Sequence, residues 1–319
     1  MAVDYTADAL VTKFRRAGKL PPHDQAGIAA ALLSKLNDEQ RLYLMTLLAK
    51  TREQFRQAYF DITTTAGLKR YAIPTRAVAA GLVSVAKVDG TTRTPFHFFA
   101  DSRVDTTRTP TPGDCYLEGA ELVLYADPGA ITLRITYNRR LAELVLLTEA
   151  RAITAINTGT KTITVAAAPS TFTSRTTMDL VKGTPHFDTY GIDLACSSIG
   201  ASATTIVFTA TLPTSLAVGD YVSIPGETPV CNAPWELHDV LVHKAAHVWL
   251  SERGDTRAAS IATLLWGAGG GAGDAKPGSM EADALSLLTP RVETNSKPLI
   301  NFSAPGWGRW AGRFRWPTT

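Results

Sequence analysis

Cysteine is scarce in this chain: Cys115, Cys196 and Cys231 are the whole set. An odd number at spacings of 81 and 35 fits neither a disulfide framework nor a zinc site, and a reducing compartment for folding is the expectation. Long apolar runs are missing too. No stretch approaches the roughly 18 residues that span a bilayer. The N-terminus, Met-Ala-Val-Asp-Tyr, has neither the basic nor the apolar region of a secretory signal, so synthesis in a cytoplasm is expected. Charge of one sign is also lacking. There are 32 basic residues against 29 acidic ones, too even a balance for a dedicated nucleic-acid coat. Charged residues make up only 19% of the 319, and hydrophobic ones 45%. That excludes wholesale disorder and suits two or three domains. No G-x-S-x-G elbow or other nucleophile–base set is present, so no catalytic residue and no cofactor is expected.

What is present divides by texture. The first 60 residues read as helical. Thr6 can cap a short helix that presents Leu10, Val11 and Phe14 and stops near Gly18. A second segment carries Ile28, Leu32 and Leu36 on one face. Asn37 followed by Gln40 reads as a capping box for a third, longer helix, with a stripe through Leu44, Leu47, Leu48, Thr51, Phe55 and Tyr59.

From Asp61 onward threonine replaces leucine and lysine, and strands are expected. Residues 82–88 form an apolar run followed by Asp89-Gly90, a hairpin signal because the tight turn needs positive φ. Phe96, Phe98 and Phe99 supply bulk for the opposing strand. Ile131, Leu133, Ile135 and Tyr137 alternate with polar residues, the period of a half-buried antiparallel strand. A second threonine-rich block, at about 151–230, holds short apolar runs at roughly regular spacing and suggests a small β-sandwich or barrel. Helix returns at Pro234, with a stripe through Leu237, Val240, Leu241, Ala245 and Val248. Further helical pieces follow at 255–266 and 280–288.

Three clusters invite a chemical reading. Gly267, Gly269 and Ala272 match G-x-G-x-x-A, but they follow a helix and no GK[ST] is present, so the stretch 267–274 reads as a flexible linker and not a phosphate loop. His243 and His247 are four apart on one predicted helix that also carries His238. Lys244 stands where a zincin needs its glutamate, so no metal site is expected there. Asp188 and Asp193 could serve a glycosidase only if the fold set their separation.

The C-terminal segment is the most distinctive. Residues 289–319 hold five basic residues and one acid, together with three of the six tryptophans. Burying an aromatic side chain is worth roughly 4–6 kcal/mol as an upper bound. Ordering each backbone unit costs about 1–2 kcal/mol. A dozen residues carrying four aromatics therefore gain little by folding alone, whereas Trp and Arg are the anchor types of protein interfaces. Arg291, Trp307, Arg309, Trp310, Arg313, Phe314, Arg315 and Trp316 are the candidate partner-docking residues.

The chain also carries a cadence. Tyr71-Ala-Ile-Pro74-Thr-Arg76 leads into the hairpin at 82–90. Leu117-Glu-Gly119-Ala-Glu-Leu122-Val-Leu-Tyr125-Ala-Asp-Pro128 and Leu133-Arg-Ile-Thr-Tyr137 follow, then Pro234-Trp-Glu-Leu-His238 and Leu287-Leu-Thr-Pro290-Arg291. This pattern resembles the head-to-tail adaptor (connector) proteins of short-tailed and related tailed bacteriophages, over about residues 35–150 and 215–291. Members of that family are helical bundles carrying a β domain, which agrees with the texture above: an α+β fold is expected, a helical bundle formed by N- and C-terminal helices, with inserted antiparallel β modules and an extended C-terminal tail. The corresponding divisions are 1–60 (helices), 61–147 (antiparallel β), 148–231 (inserted sandwich or barrel), 232–288 (helices with the Gly-rich linker) and 289–319 (basic, aromatic tail). The resemblance further implies a structural virion protein of the neck, assembled as a dodecameric ring beneath the portal protein. Such a ring extends or seals the DNA channel and receives a downstream tail or nozzle protein. Packaged DNA passes without sequence-specific contact, and no membrane is involved. The alternative is a tail-associated carbohydrate-binding or glycan-hydrolysing protein.

Overall fold

The computed structural model describes residues 6–20, 26–50, 57–99, 113–172, 175–183, 189–199, 204–272 and 274–288. Helix α1 (Ala7–Ala17) begins where Thr6 accepts a bond from the Ala9 N–H at 3.3 Å, and ends at Gly18, whose N–H returns to Phe14 O. Its buried side is Leu10, Val11 and Phe14.

Helix α2 (Ala26–Glu39) does not stop at Asn37. It runs through a π-helical turn at Gln40–Leu44 into α3 (Met45–Lys50). The capping box expected at Asn37 and Gln40 is therefore absent. The Asn37 amide instead donates to Leu144 O at 2.9 Å and accepts from Leu144 N at 2.8 Å, and Gln40 donates to Ala142 O at 2.7 Å. Both side chains serve the backbone of a distant segment, a use that local spacing does not reveal. Tyr59 likewise leaves the expected helical stripe and sits on a strand.

The late helices are α4 (His238–Ser251), entered through a tight turn at Trp235–Leu237, then α5 (Arg257–Trp266) and α6 (Met280–Leu288). One apolar core joins early and late helices: Leu10, Phe14, Leu36 and Leu47 pack with Leu237, Leu241 and Leu265. Phe14 meets Trp249 edge-on at 6.2 Å. No described helix is long and apolar enough to cross a membrane.

Strands β1 (Gln57–Thr63), β2 (Arg70–Ala72), β3 (Ala77–Asp89), β4 (Thr92–Pro95), β5 (His97–Phe99), β6 (Asp114–Glu118), β7 (Glu121–Leu124) and β8 (Thr132–Arg139) form two sheets, in the orders β1-β8-β3-β4 and β2-β7-β6-β5. Gly90, at φ 57°, turns β3 into β4. The phenylalanines do not lie on that opposing strand. β4 is all exposed, and β5 departs to run parallel to β6 in the other sheet. Val85, Leu122, Leu124, Leu133 and Ile135 make the core shared by this region.

Strands β9 (Glu143–Leu144) and β16 (Glu227–Thr228) pair in parallel. Between them β10 (Arg151–Asn157), β11 (Thr162–Val165), β12 (Thr177–Val181), β13 (Thr189–Ile199), β14 (Thr205–Phe208) and β15 (Tyr221–Ser223) close into a barrel, order β10-β11-β14-β13-β12-β15. Ile153, Ile163, Phe172, Met178, Leu180, Ile206 and Val222 fill it. Gly191 sits where a Cβ would lie 2.7 Å from Leu194 Cδ1 and 3.0 Å from Leu180 Cβ, so a side chain there would displace Leu194 and crowd Leu180.

The expected fold class, a helical bundle carrying inserted β modules, is overturned. Strand exceeds helix, 35% against 30%, and the six-stranded barrel is closed on itself. The reason lies in the threonine-rich runs. Each is short and unimpressive alone, but closure pairs every strand on two sides and holds them all. The leucine-rich helices are conspicuous in sequence and are the smaller share of the fold.

Candidate functional site

Helix, sheet and barrel meet at one cleft of about 590 Å³. Gln40 and Arg41 come from the π-helical turn, Arg76 from the turn before β3, Arg139 and Arg140 from the end of β8 and the residue after it, and Thr189 from the barrel. The four arginines behave differently.

Arg76 lies in the turn before β3 and is largely buried. Its Nη1 donates to Asp179 Oδ2 at 2.6 Å, and its Nη2 donates to Asp179 Oδ1 at 3.0 Å and Asp193 Oδ1 at 2.9 Å. Asp179, on β12, is completely buried and also accepts the Asp193 N–H at 2.9 Å and the Gly226 N–H at 3.2 Å. Burial pushes its carboxyl above the ordinary value, while Arg76 and the two amides pull it down. Asp193 holds φ at 51°, a left-handed conformation that costs a non-glycine residue about 1–2 kcal/mol; its N–H and its carboxylate both engage this cluster.

Arg139, at the end of β8, is buried and donates Nη1 to Thr189 O at 2.7 Å, a second tie between sheet and barrel. Arg41 pairs with Asp38 at 2.7 Å on the surface, where such a pair contributes little. Arg140 is exposed. Its Nε donates to Ala77 O at 3.2 Å, and no carboxylate partners it among the described residues. Glu143 also lines the cleft, and Glu227 stands opposite it in the β9–β16 pair. Burial, reinforced by repulsion from Glu149 and Glu143, pushes its carboxyl up to about 7.

This arrangement fixes a joint between three parts of the chain and leaves Arg140 free to meet an anionic group. It sets no nucleophile beside a base among the described residues.

Of the residues singled out from the sequence, Asp193 enters this cluster. Arg291, Trp307, Arg309, Trp310, Arg313, Phe314, Arg315 and Trp316 are outside the described residues, as is Asp188. Asp193 is bound to Arg76. His243 donates Nδ1–H to Asp239 O at 2.8 Å. His247 packs edge-on against Trp266 at 5.1 Å, and burial together with nearby Lys244 lowers its pKa. Among the described residues no three His, Cys, Asp or Glu side chains gather to hold a metal ion. The glycine stretch folds back on itself. Gly270 N bonds to Gly267 O at 3.1 Å and Lys276 N to Trp266 O at 2.8 Å.

Sequence reading did not single out Arg139 and Arg140. A signal existed: two adjacent arginines end a strand whose alternation is otherwise apolar inward.

No family model matches this chain, and no curated protein matches it. The likeness to adaptor proteins therefore rests on the residues that carry it.

Proposed function

We propose that this chain is a structural virion protein of the head-to-tail adaptor kind, which forms a ring beneath a portal and offers a platform to tail proteins. The observation that carries the reading is a pair of open apolar side chains. Trp235 is 60% exposed and Leu287 is 67% exposed, on a turn and a helix that pack against each other. Trp is an anchor residue type at protein interfaces, and two exposed apolar groups on packed elements suit contact with a neighbour. Leu287 also lies two positions before the basic, aromatic segment 289–319, with Trp307, Trp310, Phe314 and Trp316 as its anchors.

A ring subunit must present the same geometry in every copy. The Arg76–Asp179 clamp and the shared helical core suit that need. Ring closure uses two different faces of one subunit. Repetition of a modest tail contact around the ring multiplies its strength. DNA would pass through the channel without being read.

Electron microscopy of the full chain, alone and mixed with its cognate portal, tests this reading. Ring-shaped averages stacked on the portal are expected. Removal of residues after Leu288 should leave the thermal unfolding curve unchanged and abolish portal binding. A full chain that never associates with portal overturns the reading. Normal binding by the truncated chain removes the tail from it.

A further inference from the structure

Among the described residues, strand β1 is an unprotected edge. It pairs with β8 along its whole length, Gln57 opposite Asn138 to Thr63 opposite Thr132, and with no other described strand. The Thr64 N–H bonds to Ile131 O at 2.8 Å, one step beyond that register. Inward groups alternate in an antiparallel ladder. Ala58, Phe60 and Ile62 therefore turn their N–H and C=O toward β8, and Gln57, Tyr59, Asp61 and Thr63 turn theirs outward. Those four residues are all exposed.

Natural edges are usually blunted by shortness, charge or proline. The other edge of this sheet is: β4 has four residues, among them Arg93 and Pro95, and proline has no N–H to offer. β2 and β5 have three residues each, and the barrel has no edge. β1 has seven residues, and Asp61, its one charged residue, is already bonded twice at 2.6 Å by Arg134. Tyr59 is 63% exposed and Phe60 43%.

We infer that the free protein dimerises by antiparallel pairing of β1 with β1 of a second copy, about a two-fold axis at Phe60. The strand is self-complementary in that register. Tyr59 falls opposite Asp61 of the second copy and Gln57 opposite its Thr63, so every outward N–H and C=O finds a partner and no like charges face each other. Phe60 falls opposite Phe60 at a non-hydrogen-bonded position, where side chains approach most closely. Phe60 pairs with Ile135 inside its own sheet, and Ile135 is fully buried. The two phenylalanines thus extend the apolar face from one sheet into the next. This contact is isologous, unlike the heterologous contact of a ring, and does not depend on the adaptor reading.

Sedimentation of the full-length chain over a concentration series tests the inference. A reversible monomer–dimer equilibrium is expected. Phe60→Lys places two cations in direct opposition and should weaken dimerisation about tenfold or more, with an unchanged circular dichroism spectrum. A second variant reads the register. Facing α-carbons at a non-hydrogen-bonded pair are about 4.5 Å apart, within disulfide reach. Phe60→Cys should therefore give a covalent dimer with diamide, while Tyr59→Cys, whose opposite number is Asp61, should not. Wild type, with Cys115, Cys196 and Cys231, is the blank. A chain that stays monomeric, a dimer indifferent to Phe60→Lys, or equal cross-linking of both cysteine variants overturns the inference.

Discussion

Arg76 and Asp179 stand 103 positions apart in sequence and meet through both arms of the guanidinium, at 2.6 and 3.0 Å. The pair ties the turn before β3 to the barrel strand β12. Breaking a buried pair from one side leaves the other charge uncompensated, which costs about 3–5 kcal/mol. Arg76→Leu should lower the unfolding free energy by about that much in urea titration. Arg76→Lys should recover only part, since an ammonium cannot make the bidentate contact. The double variant Arg76→Leu/Asp179→Leu should be more stable than Arg76→Leu alone. A double variant less stable than the single one would show that the carboxylate, with its two backbone donors, is held independently of Arg76.

Local signals were legible and distant ones were not. Thr6 announces α1 because its side chain acts within three residues. Asp89-Gly90 announces its hairpin because only the turn itself decides φ. Leu133, Ile135 and Tyr137 show their burial by alternation. By contrast, Asn37 has the right neighbour for a capping box and uses its amide on Leu144 instead. Nothing near Arg76 names Asp179, and nothing near Thr162 says that β11 will be paired on both sides. The candidate cleft is made of such long-range meetings, so sequence reading reached its elements and missed the place where they converge.

His238 should make the fold acid-sensitive. It is almost fully buried, and burial lowers its pKa from 6.5 to about 4. The unfolded chain takes a proton below about pH 6.5, whereas the folded chain refuses it until about 4. This contribution is fully present above pH 6.5 and is lost as pH falls toward 4, on the order of 3 kcal/mol. Urea unfolding at a series of pH values should show the slope in wild type and its loss in His238→Gln.

Glu227 works in the opposite direction. Its carboxyl is raised from 4.5 to about 7, by burial first and then by Glu149 and Glu143. The folded chain keeps a proton that the unfolded chain has released, so this contribution is complete below pH 4.5 and is lost as pH rises through about 7. The group is only half-buried, and solvent screening reduces the effect to about 1 kcal/mol. Glu227→Gln should melt higher than wild type at pH 8 and close to it at pH 5. A variant that melts lower at pH 8 would show that the ionised carboxylate is bonded and not merely crowded.

The seat of α6 depends on a buried polar chain. Trp266 Nε1 donates to Tyr43 Oη at 3.2 Å, and Tyr43 Oη donates to Glu281, which is 1% exposed. Lys244 lies over both rings, 5.3 Å from Tyr43 and 5.1 Å from Trp266. The Trp266 carbonyl is occupied too: it accepts the Lys276 N–H at 2.8 Å, and a Cβ on Gly270 would come within 2.1 Å of it. Tyr43→Phe removes the donor to a buried carboxylate and should cost about 1–3 kcal/mol. Gly270→Ala forces the loop off Trp266 and should cost at least as much. Hydrogen exchange separates these changes from a general loss of stability. If the chain anchors α6, amides in 280–288 should exchange faster in both variants while those of the barrel strands keep their protection. Uniform acceleration across the fold would show that the network supports the whole helical core and not α6 in particular.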